Sequence, residues 1–108
     1  MNIQFLYFEG CPNHQKAYDL LINILGERKI TAKVERIRIA DDEEAARQRF
    51  VGSPTIRVDG VDIESVLEDR PYAKTCRVYV VDGVMSGTPN KRMIHEALWQ
   101  AMLERADI

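Results

Sequence analysis

The chain has 108 residues, 45% of them hydrophobic, which is enough to bury one core without disulfide or metal staples. Its 15 basic and 17 acidic residues nearly balance and form no basic stripe, which argues against a nucleic-acid partner. Two cysteines are too few for a disulfide scaffold, and no apolar run is long enough to cross a bilayer. We therefore expect a single domain over residues 1–108 that works in a reducing cytoplasm, without membrane contact.

The first half of the chain alternates between strand and helix patterns. Residues 3–8 form a short apolar run typical of a central strand, and residues 12–26 then carry apolar side chains at helical spacing, with a terminal glycine as the expected stop. Residues 33–39 alternate between apolar and charged side chains and predict a second strand. A capping box that starts at Asp41 predicts a second helix over residues 42–50.

A hairpin is the next predicted unit. Gly-Ser-Pro at residues 52–54 breaks the second helix, and the β-branched run Thr55–Val58 predicts a third strand. Asp59 and Gly60 form a strong signal for a two-residue hairpin turn. We therefore expect residues 61–63 to pair back against Thr55–Val58.

The last third of the chain predicts a loop, a strand and a helix. Residues 65–75 read as a loop, and residues 77–81 read as a strand that Asp82 and Gly83 end. Thr-Pro-Asn at residues 88–90 opens the last helix. One continuous apolar stripe on this helix is the expected core face, and it consists of Met93, Ile94, Ala97, Leu98, Ala101 and Met102.

Cys11, between the first strand and the first helix, is the main clue to function. Free amide groups at a helix start carry partial positive charge, which stabilises a thiolate. Gly10 permits a sharp turn out of the strand, and Pro12 suits the first helical position because it lacks an N–H group. We predict an exposed, reactive thiol at Cys11. The alternative is a small apolar residue at a helix start.

The order of these elements, with a cysteine after the first strand and a proline just before the third, resembles the thioredoxin fold. The resemblance implies an α/β domain in which a central mixed sheet of four or five strands is flanked by about three helices. In that family the residue matching Cys11 is the attacking thiol, and the proline matching Pro54 is cis and packs beside it. The alternative is a trans Pro54 that merely ends the second helix.

Three strings narrow the resemblance. They are Tyr-Phe-Glu-Gly-Cys-Pro-Asn at residues 7–13, Gly-Ser-Pro-Thr-Ile-Arg-Val-Asp-Gly at residues 52–60 and Cys-Arg-Val-Tyr at residues 76–79. They resemble small bacterial thioredoxin-like proteins, some of which carry labels linked to alkylmercury lyase. We do not transfer that activity, because carbon–mercury cleavage needs a set of thiols and an acid that this sequence does not visibly assemble.

The proline segment is the expected substrate edge. A cis bond before Pro54 would present the Ser53 carbonyl and the edge of Thr55 to an extended peptide or to a mixed-disulfide substrate. Pro12 sets the geometry beside the thiol. We therefore assign substrate binding to Pro12, Ser53, Pro54 and Thr55.

His14 stands where thioredoxins carry a second cysteine, three residues after the first. From there His14 is positioned to stabilise the Cys11 thiolate or to relay a proton to a leaving thiol. The alternative is a solvent-facing histidine in the first helical turn.

Cys76 is the remaining candidate for a resolving thiol. If residues 61–63 pair with Thr55–Val58, the chain returns to the end of the sheet where Cys11 lies. If residues 77–81 pair with Thr55–Val58 instead, Cys76 lies at the opposite end of the sheet from Cys11, and no disulfide between the two can form. A buried structural cysteine is the further alternative.

These residues together predict a thiol redox protein. Cys11, His14 and Cys76 are the candidate catalytic residues, and the expected partner is a protein or small-molecule thiol or disulfide, such as glutathione. We expect no cofactor and no resident metal. The alternative is a non-catalytic thioredoxin-fold module that binds a partner, or one that sequesters a soft cation such as mercury or copper through its thiols.

Overall fold

The computed structural model describes residues 1–64 and 70–106. These residues form a mixed α/β fold, as the sequence predicts, with three helices and six strands among them. In chain order the elements are β1 (Asn2–Tyr7), α1 (His14–Glu27), β2 (Lys33–Arg38), α2 (Asp42–Gln48), β3 (Thr55–Val58), β4 (Val61–Asp62), β5 (Tyr79–Val81), β6 (Val84–Ser86) and α3 (Lys91–Ala106).

A four-stranded mixed sheet with the order β2-β1-β3-β4 forms the centre of the fold. β1 is parallel to β2, and α1 supplies the crossover that a parallel pair requires. β3 is antiparallel to both of its neighbours, β1 and β4. The predicted hairpin is therefore confirmed. Positive φ angles of 50° at Asp59 and 85° at Gly60 allow its tight turn.

A second hairpin was missed by the sequence prediction. The strand expected over residues 77–81 begins only at Tyr79, and it pairs with β6 in a separate two-stranded sheet. Its turn repeats the first one, with φ angles of 51° at Asp82 and 81° at Gly83. The Asp-Gly pair was interpreted as the end of a strand, because the three residues of β6 are too few to show a period.

Three predicted helix boundaries differ from the structure. α1 begins at His14 rather than at Pro12, and it continues through Gly26 to Glu27. The helix ends beyond that glycine because Lys29 takes the left-handed conformation, with φ 53°. α2 ends at Gln48 for the same reason, since the next residue also has a left-handed backbone.

The N-terminus of α2 follows the prediction. Oδ1 of Asp41 accepts a hydrogen bond of 2.8 Å from the main-chain N–H of Glu44, which satisfies one of the free amides of the first turn. Of the predicted loop, residues 65–69 lie outside the described part of the chain, and residues 70–75 belong to no helix or strand.

The core has two parts, one on each side of the central sheet. α2 covers the smaller cluster, which contains Leu6, Ile39, Ala45 and Phe50. α1 and α3 cover the larger cluster, whose buried members are Ile3, Phe5, Ala17, Leu21, Ile24, Leu25, Ile56, Val58, Ile94, Leu98 and Ala101. The stripe predicted on α3 is thus confirmed at its centre, but Met102 is 40% exposed because it lies one position off the i, i+4, i+7 line.

The helices of the described residues include none that is both long and apolar enough to cross a membrane.

Candidate functional site

The peptide bond between Ser53 and Pro54 is cis, as the resemblance predicts. It lies directly before β3, which is antiparallel to β1, so Ser53 stands near the end of the sheet where β1 leads to Cys11. Oγ of Ser53 accepts a hydrogen bond of 3.4 Å from the N–H of Phe8. The proline segment and the cysteine segment therefore meet at one edge of the sheet.

Cys11 is buried, so the prediction of an exposed thiol is wrong. Its side chain is 2% exposed, and its Sγ lies 3.5 Å from the main-chain oxygen of Ser53, to which it donates. The N–H of Cys11 bonds to the carbonyl of Phe8 at 3.1 Å, and this turn directs the sulfur toward the proline segment. α1 starts three residues later, at His14, so Cys11 does not occupy the first turn of the helix.

Cys76 lies at the same edge and is exposed to solvent. It forms a parallel β-bridge with Ser53, inside a segment of residues 73–77 that we call the strap. The N–H of Ser53 donates to the carbonyl of Thr75 at 2.8 Å, and the N–H of Arg77 donates to the carbonyl of Ser53 at 3.0 Å. The pairing of β4 with β3 is thus the first of the two arrangements weighed from the sequence, and it brings Cys76 to Cys11.

Both thiols are free, and both cysteines lie against Ser53, since Cys11 donates to the Ser53 carbonyl and Cys76 forms the β-bridge with Ser53. Partial burial raises the pKa of the Cys76 thiol, and Cys11 raises it further through charge repulsion and a hydrogen bond. The exposed member of the pair therefore holds its proton more firmly than a free cysteine does.

His14 contacts an aromatic ring rather than a thiol. It is the first residue of α1, and its ring stacks on Tyr7 with centroids 4.8 Å apart. The Nδ1 atom is buried without a hydrogen-bond partner, and within the described residues no hydrogen bond links His14 to Cys11. A catalytic role for His14 stays a prediction from the sequence.

The residues expected to bind substrate are engaged within the protein. Ser53 and Thr55 are fully buried, and the Thr55 hydroxyl donates to the carbonyl of Gly52 at 2.6 Å. The carbonyl of Pro54 accepts from the hydroxyl of Tyr79 at 2.5 Å. Pro12 is exposed, in the turn that precedes α1.

Arg77 is a buried cation that sequence reasoning missed. The residue is 1% exposed, and its guanidinium donates two hydrogen bonds to the carboxylate of Asp62, at 2.7 and 2.8 Å. It also donates to the hydroxyl of Thr55 at 3.2 Å and lies 4.4 Å from the centre of the Tyr79 ring. Burial lowers the pKa of Arg77, but the hydrogen bonds to Asp62 and the charges of Asp62, Glu64 and Tyr79 together outweigh it, so this pKa is raised above its ordinary value.

A signal for this burial was present in the sequence. Arg77 and Tyr79 are two residues apart, so in extended chain their side chains point to the same face. Tyr79 is fully buried, and Arg77 shares its environment. The two-residue period of an extended chain therefore predicts that Arg77 is buried like Tyr79, whereas the charge of Arg77 alone predicts a surface position.

Gly52 lets the strap approach closely. A Cβ atom built on Gly52 would lie 2.7 Å from the Cβ of Arg77 and 2.9 Å from its Cα. The backbone of Gly52 also has φ 145°, which side chains rarely adopt. Only glycine fits this position without moving the strap.

Comparison of the chain with protein-family models, with curated proteins and with solved structures finds no match. Among the described residues, no group of three or more His, Cys, Asp or Glu side chains is arranged to hold a metal ion.

Proposed function

We propose that the protein is a thiol redox protein of thioredoxin-like fold, in which Cys11 and Cys76 act as one dithiol pair. The contact of both cysteines with Ser53 carries the proposal, because the Sγ of Cys11 lies 3.5 Å from the Ser53 carbonyl oxygen and Cys76 forms a β-bridge with Ser53. The strand order β2-β1-β3-β4 and the cis bond before β3 support the fold assignment, because the sequence resemblance predicts a cis proline at this point. A reducing cytoplasm would keep both thiols free at rest.

Solvent access decides the order of attack. An external disulfide R–S–S–R meets the exposed sulfur of Cys76 first, whereas Cys11 is buried. The Cys76 thiolate forms a mixed disulfide with one R–S group, and the other leaves as a thiolate that takes up the Cys76 proton. This order reverses the roles expected from the sequence, where Cys11 attacks and Cys76 resolves.

Cys11 completes the reaction. Its thiolate attacks the Cys76 sulfur of the mixed disulfide, forms the Cys11–Cys76 disulfide and releases the second R–S group, which takes up the proton from Cys11. The substrate disulfide gains two electrons and two protons, and the pair loses them. A second thiol, such as glutathione, returns the pair to the reduced form by the reverse exchange.

Turnover of a model disulfide tests the proposal. The parent, Cys76→Ser and Cys11→Ser are compared in the reduction of hydroxyethyl disulfide with glutathione as the reductant. We expect Cys76→Ser to lose turnover, and we expect Cys11→Ser to accumulate a mixed disulfide at Cys76, seen by mass spectrometry, when hydroxyethyl disulfide is added without glutathione. Equal rates for all three proteins would contradict the proposal. Chain unfolded in urea serves as the control for unassisted thiol reactivity.

The same contact favours a second function, the sequestration of a soft cation. Two neighbouring thiolates are suitable ligands for mercury or copper(I). This function predicts that the parent binds one Hg²⁺ ion per chain more tightly than either Cys11→Ser or Cys76→Ser, as measured by competition with a small dithiol. Binding that is as tight in the single variants as in the parent would exclude a two-thiol site.

A further inference from the structure

The strap fills the main-chain edge of the proline segment. The Ser53 N–H is taken by the carbonyl of Thr75, and the Ser53 carbonyl is taken by the N–H of Arg77. A third bond of 3.1 Å runs from the N–H of Ala73 to the carbonyl of Phe50. These three bonds make a short parallel ladder, so both main-chain groups of Ser53 are already paired.

Side-chain contacts hold the strap in this position. The Arg77 guanidinium is bound by the carboxylate of Asp62 on β4 and by the hydroxyl of Thr55 on β3. The N–H of Lys74 donates to Oδ1 of Asp42 on α2 at 2.8 Å. The strap is therefore attached to the central sheet and to α2, and the missing side chain at Gly52 gives it room.

An extended peptide needs a free N–H and a free carbonyl on an edge in order to pair with it. A small disulfide needs only the exposed sulfur of Cys76. We infer that the strap excludes extended peptides from Ser53 and restricts the dithiol pair to low-molecular-weight disulfides, with Arg77 as the residue that sets this specificity. The inference rests on the proposed redox function and names its substrate class.

Two mixed disulfides with the same leaving group test the inference. One joins 2-nitro-5-thiobenzoate to 2-mercaptoethanol, and the other joins it to the cysteine of a short extended peptide. The leaving thiolate is coloured, so its release reports the attack by Cys76, and mass spectrometry reports closure of the Cys11–Cys76 disulfide. For each protein, the rate of thiolate release from the peptide disulfide is divided by the rate of release from the small disulfide. This ratio is then divided by the same ratio measured with N-acetylcysteine as the attacking thiol, which corrects for the intrinsic reactivity of the two compounds.

Two glycine variants distinguish the effect of displacing the strap from the effect of backbone strain. In Gly52→Ala the new methyl group meets Arg77 and pushes the strap off its edge. In Gly60→Ala the backbone also has a positive φ, 85°, but nothing lies within 4 Å of the new methyl group. Gly60→Ala is therefore the matched control, because it disturbs a backbone without touching the strap.

The expected result is a normalised ratio well below one for the parent and for Gly60→Ala. Gly52→Ala should raise that ratio about tenfold, which is the gain expected when one or two net hydrogen bonds to a peptide become possible. A parent that prefers the peptide, with no change in Gly52→Ala, overturns the inference and leaves the redox proposal intact. If neither compound drives closure of the Cys11–Cys76 disulfide, the redox proposal fails and takes the inference with it.

Hydrogen exchange on the parent keeps the test decisive if Gly52→Ala does not fold. The amide protons of Ser53 and Arg77 lie inside the ladder, so they should exchange as slowly as those of β3. Free exchange at these two amides would mean that the strap is open in solution, and it would overturn the inference.

Discussion

The segment that carries Cys11 and the strap that carries Cys76 reach the same edge by different means. Cys11 follows β1 and is placed by a local turn, in which its own N–H bonds to the carbonyl of Phe8. The strap belongs to no helix or strand, and its contacts come from distant parts of the chain: Ser53, Asp62 and Asp42. Cys11 is held by a neighbour in sequence and by Ser53, whereas Cys76 is held by the distant contacts of the strap.

The Cys11 segment and the strap should therefore differ in how easily they detach from the rest of the fold. The Cys11 segment follows β1, whose residues Ile3 and Phe5 belong to the larger apolar cluster. The strap depends on a few polar contacts, most of all on the buried Arg77. A single substitution should therefore detach the strap from the sheet, whereas the Cys11 segment should move only when the core itself unfolds.

The largest expected effect follows the loss of Arg77. Arg77→Ala leaves the carboxylate of Asp62 without its partner in a shielded site, and this should lower the free energy of unfolding by about 3 kcal/mol or more. Urea titration measures the loss. Arg92→Ala is the control, because that arginine also pairs with an aspartate, Asp82, but both side chains are exposed. Equal losses in the two variants would contradict a special role for the strap anchor.

Alkylation should distinguish the two thiols next. Cys76 is exposed and Cys11 is 2% exposed, so iodoacetamide should modify Cys76 about 100-fold faster, since a buried thiol reacts only when the structure opens. Peptide mapping by mass spectrometry identifies the modified residue. In urea the preference should vanish. Faster modification of Cys11 in the folded protein would restore the arrangement that the sequence predicted.

A smaller effect is expected at the N-terminal caps of α2 and α3. Asp41→Ala removes the bond to the N–H of Glu44 and should cost about 1 kcal/mol of unfolding free energy. Asn90→Ala removes the corresponding bond to the N–H of Met93 at the start of α3 and should cost about as much. Asn90→Ala, which lies outside the contacts of the strap, should not change the alkylation rate of Cys76. A change in that rate would mean that the local and long-range regions are coupled.

The smallest expected effect is the pH dependence of the exposed thiol. The raised pKa of Cys76 leaves less thiolate at neutral pH, so its alkylation rate should rise with a midpoint above that of a free cysteine. Cys11→Ala removes the charge repulsion and the hydrogen bond that Cys11 contributes, so the midpoint should move to lower pH. Rates measured across the alkaline range check this. An unchanged midpoint in the variant would mean that burial alone shifts the thiol.

Regular elements were the part of the fold that sequence reasoning predicted well. The capping box at Asp41, the hairpin turn at Asp59 and Gly60 and the strand Thr55–Val58 are all present. Each depends on contacts within a few residues, which a pattern in the sequence can reveal. The second hairpin was missed because strands of three residues are too short to show a period.

The sequence predicted which residues form the candidate site better than it predicted how those residues are arranged. Cys11, Ser53 and Cys76 do meet at one edge, as one of the two arrangements weighed from the sequence requires. Their exposure was predicted wrongly for Cys11, because burial depends on what packs over the turn after β1. Of the residues expected to bind substrate, Ser53 and Thr55 are occupied by the strap, which no pattern in the sequence reveals.

The cis bond before Pro54 was implied by the resemblance to the thioredoxin fold. The sequence by itself determined the alternation of strands and helices and the tight turn at Asp59 and Gly60. Those features follow from local backbone preferences and from the period of apolar side chains. Only the tertiary structure decided that Cys76 faces solvent, that Cys11 does not, and that Arg77 is buried. Each of these depends on Asp62 or Ser53, which lie far away in sequence, because a buried charge is stable only where the fold supplies its partner.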